Sequence, residues 1–298
     1  VPARKFTEIC KSLPIGAIVD VAVSEGKCVL SSGRSRFSLA TLPAHDFPSV
    51  DTKVGLMEFN LPRILLRQLL EQTAFAMAAQ DVRYYLNGLL IELRDNELRA
   101  VATDGHRLAL AKAALPTAVD VIKQVIVPRK GIQEASRIFS EGLDELSISL
   151  NTNHIRIQNQ EISFTSKLID GRYPDYERVI PPVGSANFVA NREEFKQALQ
   201  RAAILSNEKY RGVRLTLSAN NLLISSNNPD QEVAEEQLFV DYSGPNLELG
   251  FNVNYLLDVL SVLKSENVEL NIAEGSHTAI LKAPNHENAL YIVMPMKM

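Results

Sequence analysis

The chain repeats itself at a distance of about 125 residues, and this long period constrains the fold more than any local pattern does. Leu89-Leu90-Ile91 follows Asn87-Gly88, and Val213-Arg214-Leu215 follows Arg211-Gly212 at an offset of 124. Leu98 to Asp104 matches Leu222 to Asn228 at the same offset, as do Leu146 with Leu270 and Ile148 with Ile272. Leu42, Phe47 and Pro48 match Leu168, Tyr173 and Pro174 at 126, and so does Val1-Pro2 with Val127-Pro128. Leu66-Arg67-Gln68 resembles Phe195-Lys196-Gln197 at 129. Chance would scatter the offsets. A repeat of this length is a domain, since solenoid units run to about 20–50 residues. The 298 residues hold about 2.4 copies. Val1 aligns late in the unit, so roughly the first 70 residues of copy one are expected to be absent, and the complete protein is expected to hold three copies. The chain does not begin with Met, which agrees with a fragment or a processed form.

Each copy reads as a mixture of short strands and two helices. Val213, Leu215 and Leu217 alternate with Arg214, Thr216 and Ser218, the period of a half-buried strand. Ala219-Asn220-Asn221 turns the chain into a returning strand at Leu222. Leu89–Leu93, a turn at Asp95-Asn96 and Leu98–Ala102 repeat the pattern in copy two. Further strands are expected at Ile18–Val23, Gln124–Val127, Ser147–Leu150, His154–Gln158, Glu248–Phe251, Val268–Ile272 and Leu290–Met294. Helical spacing predicts Pro62–Ala78 with Asn60 as cap, and Asn191–Leu205 with Asn191 as cap. Second helices are expected at Arg4–Leu13, Arg129–Phe139 and Val253–Leu263. Each copy then has two helices and about eight strands.

Charge narrows the choice of partner. The 31 basic and 35 acidic residues give a net charge of −4, which excludes a broadly basic coat but not a local basic surface. Helix faces carry Arg4, Lys5 and Lys11; Arg63 and Arg67; Arg129, Lys130 and Arg137; and Arg192, Lys196 and Arg201. Taken singly these are ordinary solvated faces. Their recurrence at equivalent positions suggests a shared basic surface suited to phosphates. The two cysteines, Cys10 and Cys28, cannot form a disulfide framework and fit a reducing cytoplasm. No run approaches the ~20 apolar residues of a membrane span, and no apolar segment of a signal peptide follows Arg4-Lys5.

Several segments carry a family resemblance: Gln80-Asp81-Val82-Arg83-Tyr84-Tyr85-Leu86-Asn87-Gly88, Thr103-Asp104-Gly105-His106-Arg107-Leu108, Gly171-Arg172-Tyr173-Pro174-Asp175-Tyr176, Ala203-Ile204-Leu205-Ser206-Asn207-Glu208-Lys209 and Val293-Met294-Pro295-Met296. Together they closely resemble the bacterial DNA polymerase III beta subunits over the whole chain. The resemblance implies an α+β fold of tandem DNA-clamp domains, each with two helices packed on antiparallel sheets, arranged as an arc of a ring. The domains would be 1–53 (a truncated first domain), 54–177 and 178–298. It implies a non-catalytic processivity factor with no cofactor and no metal. Two chains would join head to tail around double-stranded DNA, without sequence preference, and slide on it. Tethered partners would be the polymerase III alpha subunit, the clamp loader and other proteins that carry a clamp-binding motif. No membrane partner is implied.

The resemblance also assigns residues. DNA contacts fall on Arg4, Gln80, Tyr84 and Tyr85, the tyrosines being able to stack on an unpaired base. Without the resemblance, Tyr84-Tyr85 reads first as strand packing with one ring buried, and the resemblance reverses that order. A partner-peptide pocket between the second and third domains falls on Leu86, Thr103, Gly105, His106, Arg107, Leu108, Pro174, Arg178, Val179, Asn252, Tyr255, Val293, Met294, Pro295 and Met296. Apolar walls, adaptable methionines and a rim of Arg and His suit short peptides. A frayed terminus is the alternative for Met294-Pro295-Met296. The ring interface falls on Lys5, Arg34, Arg36, Phe37 and Leu39 at one end, and on Ile204, Leu205, Asp230, Glu232, Glu235 and Glu236 at the other. Complementary charge of this kind sets orientation, although two solvated clusters would look the same.

Two other readings remain. An enzyme could use Asp104 and His106 as carboxylate and imidazole, but no nucleophile motif, metal-ligand cluster or phosphate loop accompanies them. A β-rich scaffold could bind peptides without DNA.

Overall fold

The computed structural model describes residues 1–47, 57–115, 122–182, 186–273 and 275–297. The chain divides into two compact units, Val1–Lys53 and Val54–Met298. The expected boundary between 53 and 54 lies outside the described residues.

The first unit is α1 (Ala3–Ser12) followed by β1 (Asp20–Ser24), β2 (Lys27–Ser32) and β3 (Ser35–Ala40), which form one antiparallel sheet in the order β1-β2-β3. Cys28 and Leu30 of β2 are buried, whereas α1 buries none of its residues and β1 is exposed throughout. β3 is an edge strand.

The second unit holds two successive sets of eight strands and two helices among the described residues. The first set is β4 (Met57–Pro62), α2 (Arg63–Thr73), β5 (Gly88–Arg94), β6 (Glu97–Thr103), β7 (Arg107–Ala114), β8 (Lys123–Pro128), α3 (Arg129–Ile138), β9 (Glu145–Leu150), β10 (His154–Gln158) and β11 (Ser163–Lys167). The second is β12 (Ala186–Asn191), α4 (Arg192–Ile204), β13 (Gly212–Ser218), β14 (Asn221–Asn227), β15 (Val233–Phe239), β16 (Leu247–Asn252), α5 (Val253–Val262), β17 (Asn267–Ile272), β18 (Ala279–Lys282) and β19 (Ala289–Val293). The repeat arithmetic therefore marks real structural equivalence, and the expected helices differ from the observed ones only at their ends, as terminal turns commonly do.

Two four-stranded sheets run in the orders β11-β10-β9-β4 and β15-β14-β13-β16. An eight-stranded sheet, β12-β17-β18-β19-β7-β6-β5-β8, spans both sets. The join is the antiparallel pair β19 and β7, where Val293 faces Arg107 and Ile292 faces Leu108. The sheets and the helices enclose one large apolar core that includes Leu61, Leu69, Phe195, Phe251 and Tyr291. β5 shows no polar alternation because both of its faces are covered: Leu89, Ile91 and Leu93 enter that core, while Leu90 enters a second cluster with Leu86, Leu108, Tyr173 and Tyr176. Each such fully buried side chain contributes about 1.5–3 kcal/mol.

All four helices of this unit start on the residue after a strand ends, and the first backbone N–H of each finds a distant carbonyl. Arg63 N–H donates to Asp144 O (3.0 Å), Arg129 to Asn87 O (2.9 Å), Arg192 to Glu266 O (2.9 Å) and Val253 to Arg211 O (2.8 Å). An orphan donor of each helix start is thus satisfied by a strand or loop brought in from elsewhere in the fold. Asn191 caps α4 as expected, its side chain accepting from Glu193 and Glu194 N–H at 3.1 Å each. Asn60 does not cap α2. Pro62 occupies that position, and the Asn60 amide donates instead to Glu145 across β4 and β9 (3.2 Å).

The expectation of evenly basic helix faces needs correction. Arg63 is buried, where its guanidinium donates to Glu141 O and pairs with Asp144 (2.8 Å). Arg129 donates to Met77 O (2.6 Å), and Arg192 donates to Ser265 O (2.9 Å) and Leu260 O (3.2 Å). These three arginines stitch helix starts to neighbouring turns, because the forked guanidinium serves several carbonyls at once. Lys5, Lys11 and Lys130 stay exposed, and Lys196 is half-buried. Among the described residues, no helix is long and apolar enough to cross a membrane.

Candidate functional site

The turn between β6 and β7 builds one side of the expected peptide pocket. Gly105 sits at φ +88°, a conformation that favours glycine. The Asp104 carboxylate folds back on the turn, accepting from His106 N–H (2.9 Å) and Arg107 N–H (3.0 Å). The Thr103 hydroxyl donates to Arg107 O (2.6 Å). His106 is thereby held exposed, its ring stacked against Tyr255 of α5 at 6.4 Å between centroids. Among the described residues the Asp104 carboxylate accepts from these backbone groups and from the Arg107 guanidinium (3.1 Å).

Arg107 closes the floor. Its guanidinium pairs with Asp104 (3.1 Å) and Asp258, donates to Phe75 O (3.0 Å), and lies 4.6 Å over Tyr255 and 5.3 Å over Phe75. The sequence places Arg107 on the rim as a reader of peptide carbonyls, but in the fold its donors are already engaged and its side chain is only 12% exposed. Asp258 and Phe75 escaped the sequence reading. The spacing of Tyr255 and Asp258, three apart on one helix, was the available signal.

The other residues expected in the pocket fall on several elements. Leu86 and Leu108 are buried with Tyr173 and Tyr176 in the second apolar cluster. Burial pushes the Tyr173 hydroxyl well above the ordinary phenol range. Met294 N–H donates to His106 O (2.9 Å), Met296 N–H donates to Gly250 O (2.8 Å), and the Met294 sulfur accepts from the Thr278 hydroxyl (3.6 Å). The terminus is therefore docked, with Val293 buried and Met294, Pro295 and Met296 half-exposed. The Asn252 side chain caps α5 by accepting from Asn254 N–H (2.9 Å). Pro174, Arg178 and Val179 are exposed beside Tyr173 and Tyr176, and Arg178 pairs with Asp175 (2.9 Å). Met296 also lines a separate cavity of about 530 Å³ with Tyr210 and Asn228.

Gln80, Tyr84 and Tyr85 lie on the connection from α2 to β5. Gln80 is exposed at φ +60°. Tyr84 and Tyr85 form a short 3-10 turn with Leu86, and their rings meet edge to face at 5.8 Å. Tyr84 is 58% exposed, while Tyr85 leans on the apolar cluster. Arg83 braces this connection through Asp81 (2.8 Å) and Asp104 O (3.2 Å), and its guanidinium holds the Asp81 carboxyl down at about 2. In the first unit, Arg4 is exposed and pairs with Glu8 (2.9 Å).

The expected interface residues fall on two strand edges. Arg36, Phe37 and Leu39 belong to β3, with Arg34 in the turn before it and Lys5 on α1. Glu235 and Glu236 belong to β15, also an edge strand, with Asp230 and Glu232 in the loop before it. Ile204, 75% exposed, and Leu205 end α4. Glu236 is engaged within the chain by Arg201 (2.7 Å), which lowers its pKa, and Glu232 accepts from Asn228 (2.6 Å). Phe239 (84% exposed) and Val233 on β15 are apolar residues that periodicity alone did not single out.

Family models for the DNA polymerase III beta subunit match in three consecutive stretches: the N-terminal domain over residues 1–51, the central domain over 60–175 and the C-terminal domain over 177–297. The beta sliding clamp of Pseudomonas putida is 52% identical over 298 residues, all of this chain and 81% of that protein. The beta sliding clamp of Escherichia coli K12 is 49% identical over the same coverage. The crystal structure of the DNA polymerase III beta subunit from Pseudomonas aeruginosa superposes with a TM-score of 0.94 at 50% identity, covering 100% of this chain and 82% of that one. On the strength of three matched domains, half-identical relatives along its full length and a shared fold, the chain belongs to the DNA polymerase III beta subunits, the bacterial sliding clamps.

Proposed function

We propose that this clamp works without chemistry of its own, as part of a closed ring of two chains joined head to tail around double-stranded DNA. The observation that carries the ring is the pair of free strand edges. β3 presents Arg36 with Phe37 and Leu39, with Arg34 in the turn before it, and β15 presents Glu235 with Val233 and Phe239. An unpaired edge is a template for another strand, and a head-to-tail contact closes into a ring when its rotation permits. The domains would be 1–53, 54–177 and 178–298.

Arg4, Gln80, Tyr84 and Tyr85 would touch DNA weakly and without base readout, which permits sliding. The pocket around Leu86, Leu108, Tyr255 and Met294 would take short motifs from the polymerase III alpha subunit, the clamp loader and other replication and repair proteins. Holding a polymerase there raises its local concentration at the DNA, so rebinding replaces dissociation. The engaged Asp104 carboxylate supports the non-catalytic reading. Two free cysteines support a cytoplasmic setting.

The test is topological. Protein loaded on nicked circular DNA should be retained at high salt and lost once the circle is cut, because a ring slides off ends. Equal retention on circular and linear DNA would overturn the encirclement, and a peptide-binding scaffold would show no retention on either.

A further inference from the structure

The segment 170–180 carries Pro174, Arg178 and Val179 of the expected peptide pocket, yet among the described residues it belongs to no strand. A sheet ladder does not fix its backbone, so its side chains have to. Two tyrosines do part of this. Tyr173 and Tyr176 are buried in the second apolar cluster with Leu86 and Leu108.

A set of ionic contacts supplies the rest. The Glu177 carboxylate accepts from Arg94 at the end of β5 (2.9 Å) and from Arg99 on β6 (3.3 Å). The Arg99 side chain is only 12% exposed. It also donates to the Tyr176 hydroxyl (3.4 Å) and pairs with Glu97 (3.0 Å). The Tyr176 hydroxyl donates in turn to the buried Glu92 of β5, which lies 3.8 Å from Arg99. The forked guanidinium is what lets one side chain serve several acceptors at once. Two paired strands thus grip Tyr176 and Glu177, the first half of the short turn Tyr176–Val179, and the second half of that turn is Arg178 and Val179. The Arg178 pair with Asp175 (2.9 Å) lies inside the segment and cannot fix it against the sheet.

We propose that Arg94, Arg99 and Glu177 are positioning residues of the peptide pocket: they hold the wall of Pro174, Arg178 and Val179 in its binding geometry before a peptide arrives. The inference rests on the peptide-pocket reading and adds to it residues that touch no peptide. A site that is competent for a fraction of the time binds with its intrinsic affinity reduced by that fraction. Releasing the wall therefore lowers the rate of productive encounters, whereas removing a contact residue mainly speeds release.

The full chain is titrated with a fluorescein-labelled peptide that carries the clamp-binding motif of the polymerase III alpha subunit, and both rates are read by stopped flow. Glu177→Ala and Arg94→Ala should each weaken binding by about three- to fivefold, the scale of a partly exposed ion pair. The loss should fall on the association rate. The double variant should lose little more than Glu177→Ala alone, because both substitutions break the same pair. Unchanged affinity in Glu177→Ala and in the double variant would overturn the proposal. A loss carried by the dissociation rate would also overturn it, by making Glu177 a contact residue. So would a lowered urea midpoint with peptide affinity kept, which would leave the ion pairs a purely structural role. Failure of the wild type to bind the peptide would instead defeat the pocket reading itself, so the two failures are separable.

Discussion

The Arg107 guanidinium on β7 lies 4.6 Å above the Tyr255 ring on α5 while it pairs with Asp258 of the same helix. One side chain thus bolts the strand that joins the eight-stranded sheet to a helix of the following repeat. Arg107→Met should destabilise the chain by about 2–3 kcal/mol, the cost of losing hydrogen bonds to charged groups with the partners left behind. Arg107→Lys should recover little of it, because an ammonium cannot fork to Asp104, Asp258 and Phe75 O together. Urea unfolding midpoints of the full chain check both.

Met294→Ala with Met296→Ala should weaken a clamp-binding peptide by about five- to thirtyfold, the effect of truncating an interface anchor. The fold should persist. Both residues are fastened through their backbone N–H groups, to His106 O and Gly250 O, and those bonds survive the substitution. A peptide titration with unchanged affinity would remove the methionines from the pocket.

Ile204→Glu with Leu205→Glu should shift the chain from dimer to monomer in sedimentation velocity. Ile204 is largely exposed, so its replacement costs the isolated chain little, whereas carboxylates in place of two apolar side chains would lose the apolar contact with Phe37 and Leu39 of the second chain and leave charge desolvated in the interface. A distribution identical to that of the parent would place the interface elsewhere.

Tyr176 gives a pH dependence. Its hydroxyl donates to the buried Glu92 carboxylate, which also accepts from Gln124 (2.6 Å). Burial first, then Glu92, raises the Tyr176 pKa from the ordinary value of 10.0 to about 12. Its folded value exceeds its unfolded one. The stabilisation is therefore complete below pH 10 and is lost as pH rises from 10 towards about 12. Tyr176→Phe should cost about 1–3 kcal/mol at neutral pH by leaving Glu92 short of a donor. It should also flatten the alkaline limb of the stability profile, read by denaturant midpoints between pH 9 and pH 12. An unaltered alkaline limb would separate Tyr176 from it.

The repeat, the order of helices and strands and the Asn191 cap were legible in the sequence, because each depends on neighbours within a few residues or on the comparison of one copy with another. Periodicity placed α4, β13 and β14 almost to the residue. Side-chain roles were less legible where long-range packing decides them. Arg63 and Lys130 look alike as cations opening a helix, yet Arg63 is buried against Asp144 and Lys130 faces solvent. Arg107 sits in a recognisable motif, but its partners Phe75 and Asp258 lie 32 and 151 residues away. Val293 to Met296 could have frayed; pairing of Val293 with Arg107 and the bonds from Met294 N–H to His106 O and Met296 N–H to Gly250 O dock them. Sequence by itself determined the repeating architecture and the family, since local propensity and pattern suffice for those. Only the tertiary structure decided which cations are structural and where the terminus lies, since each depends on groups far apart in the chain meeting at hydrogen-bond distance.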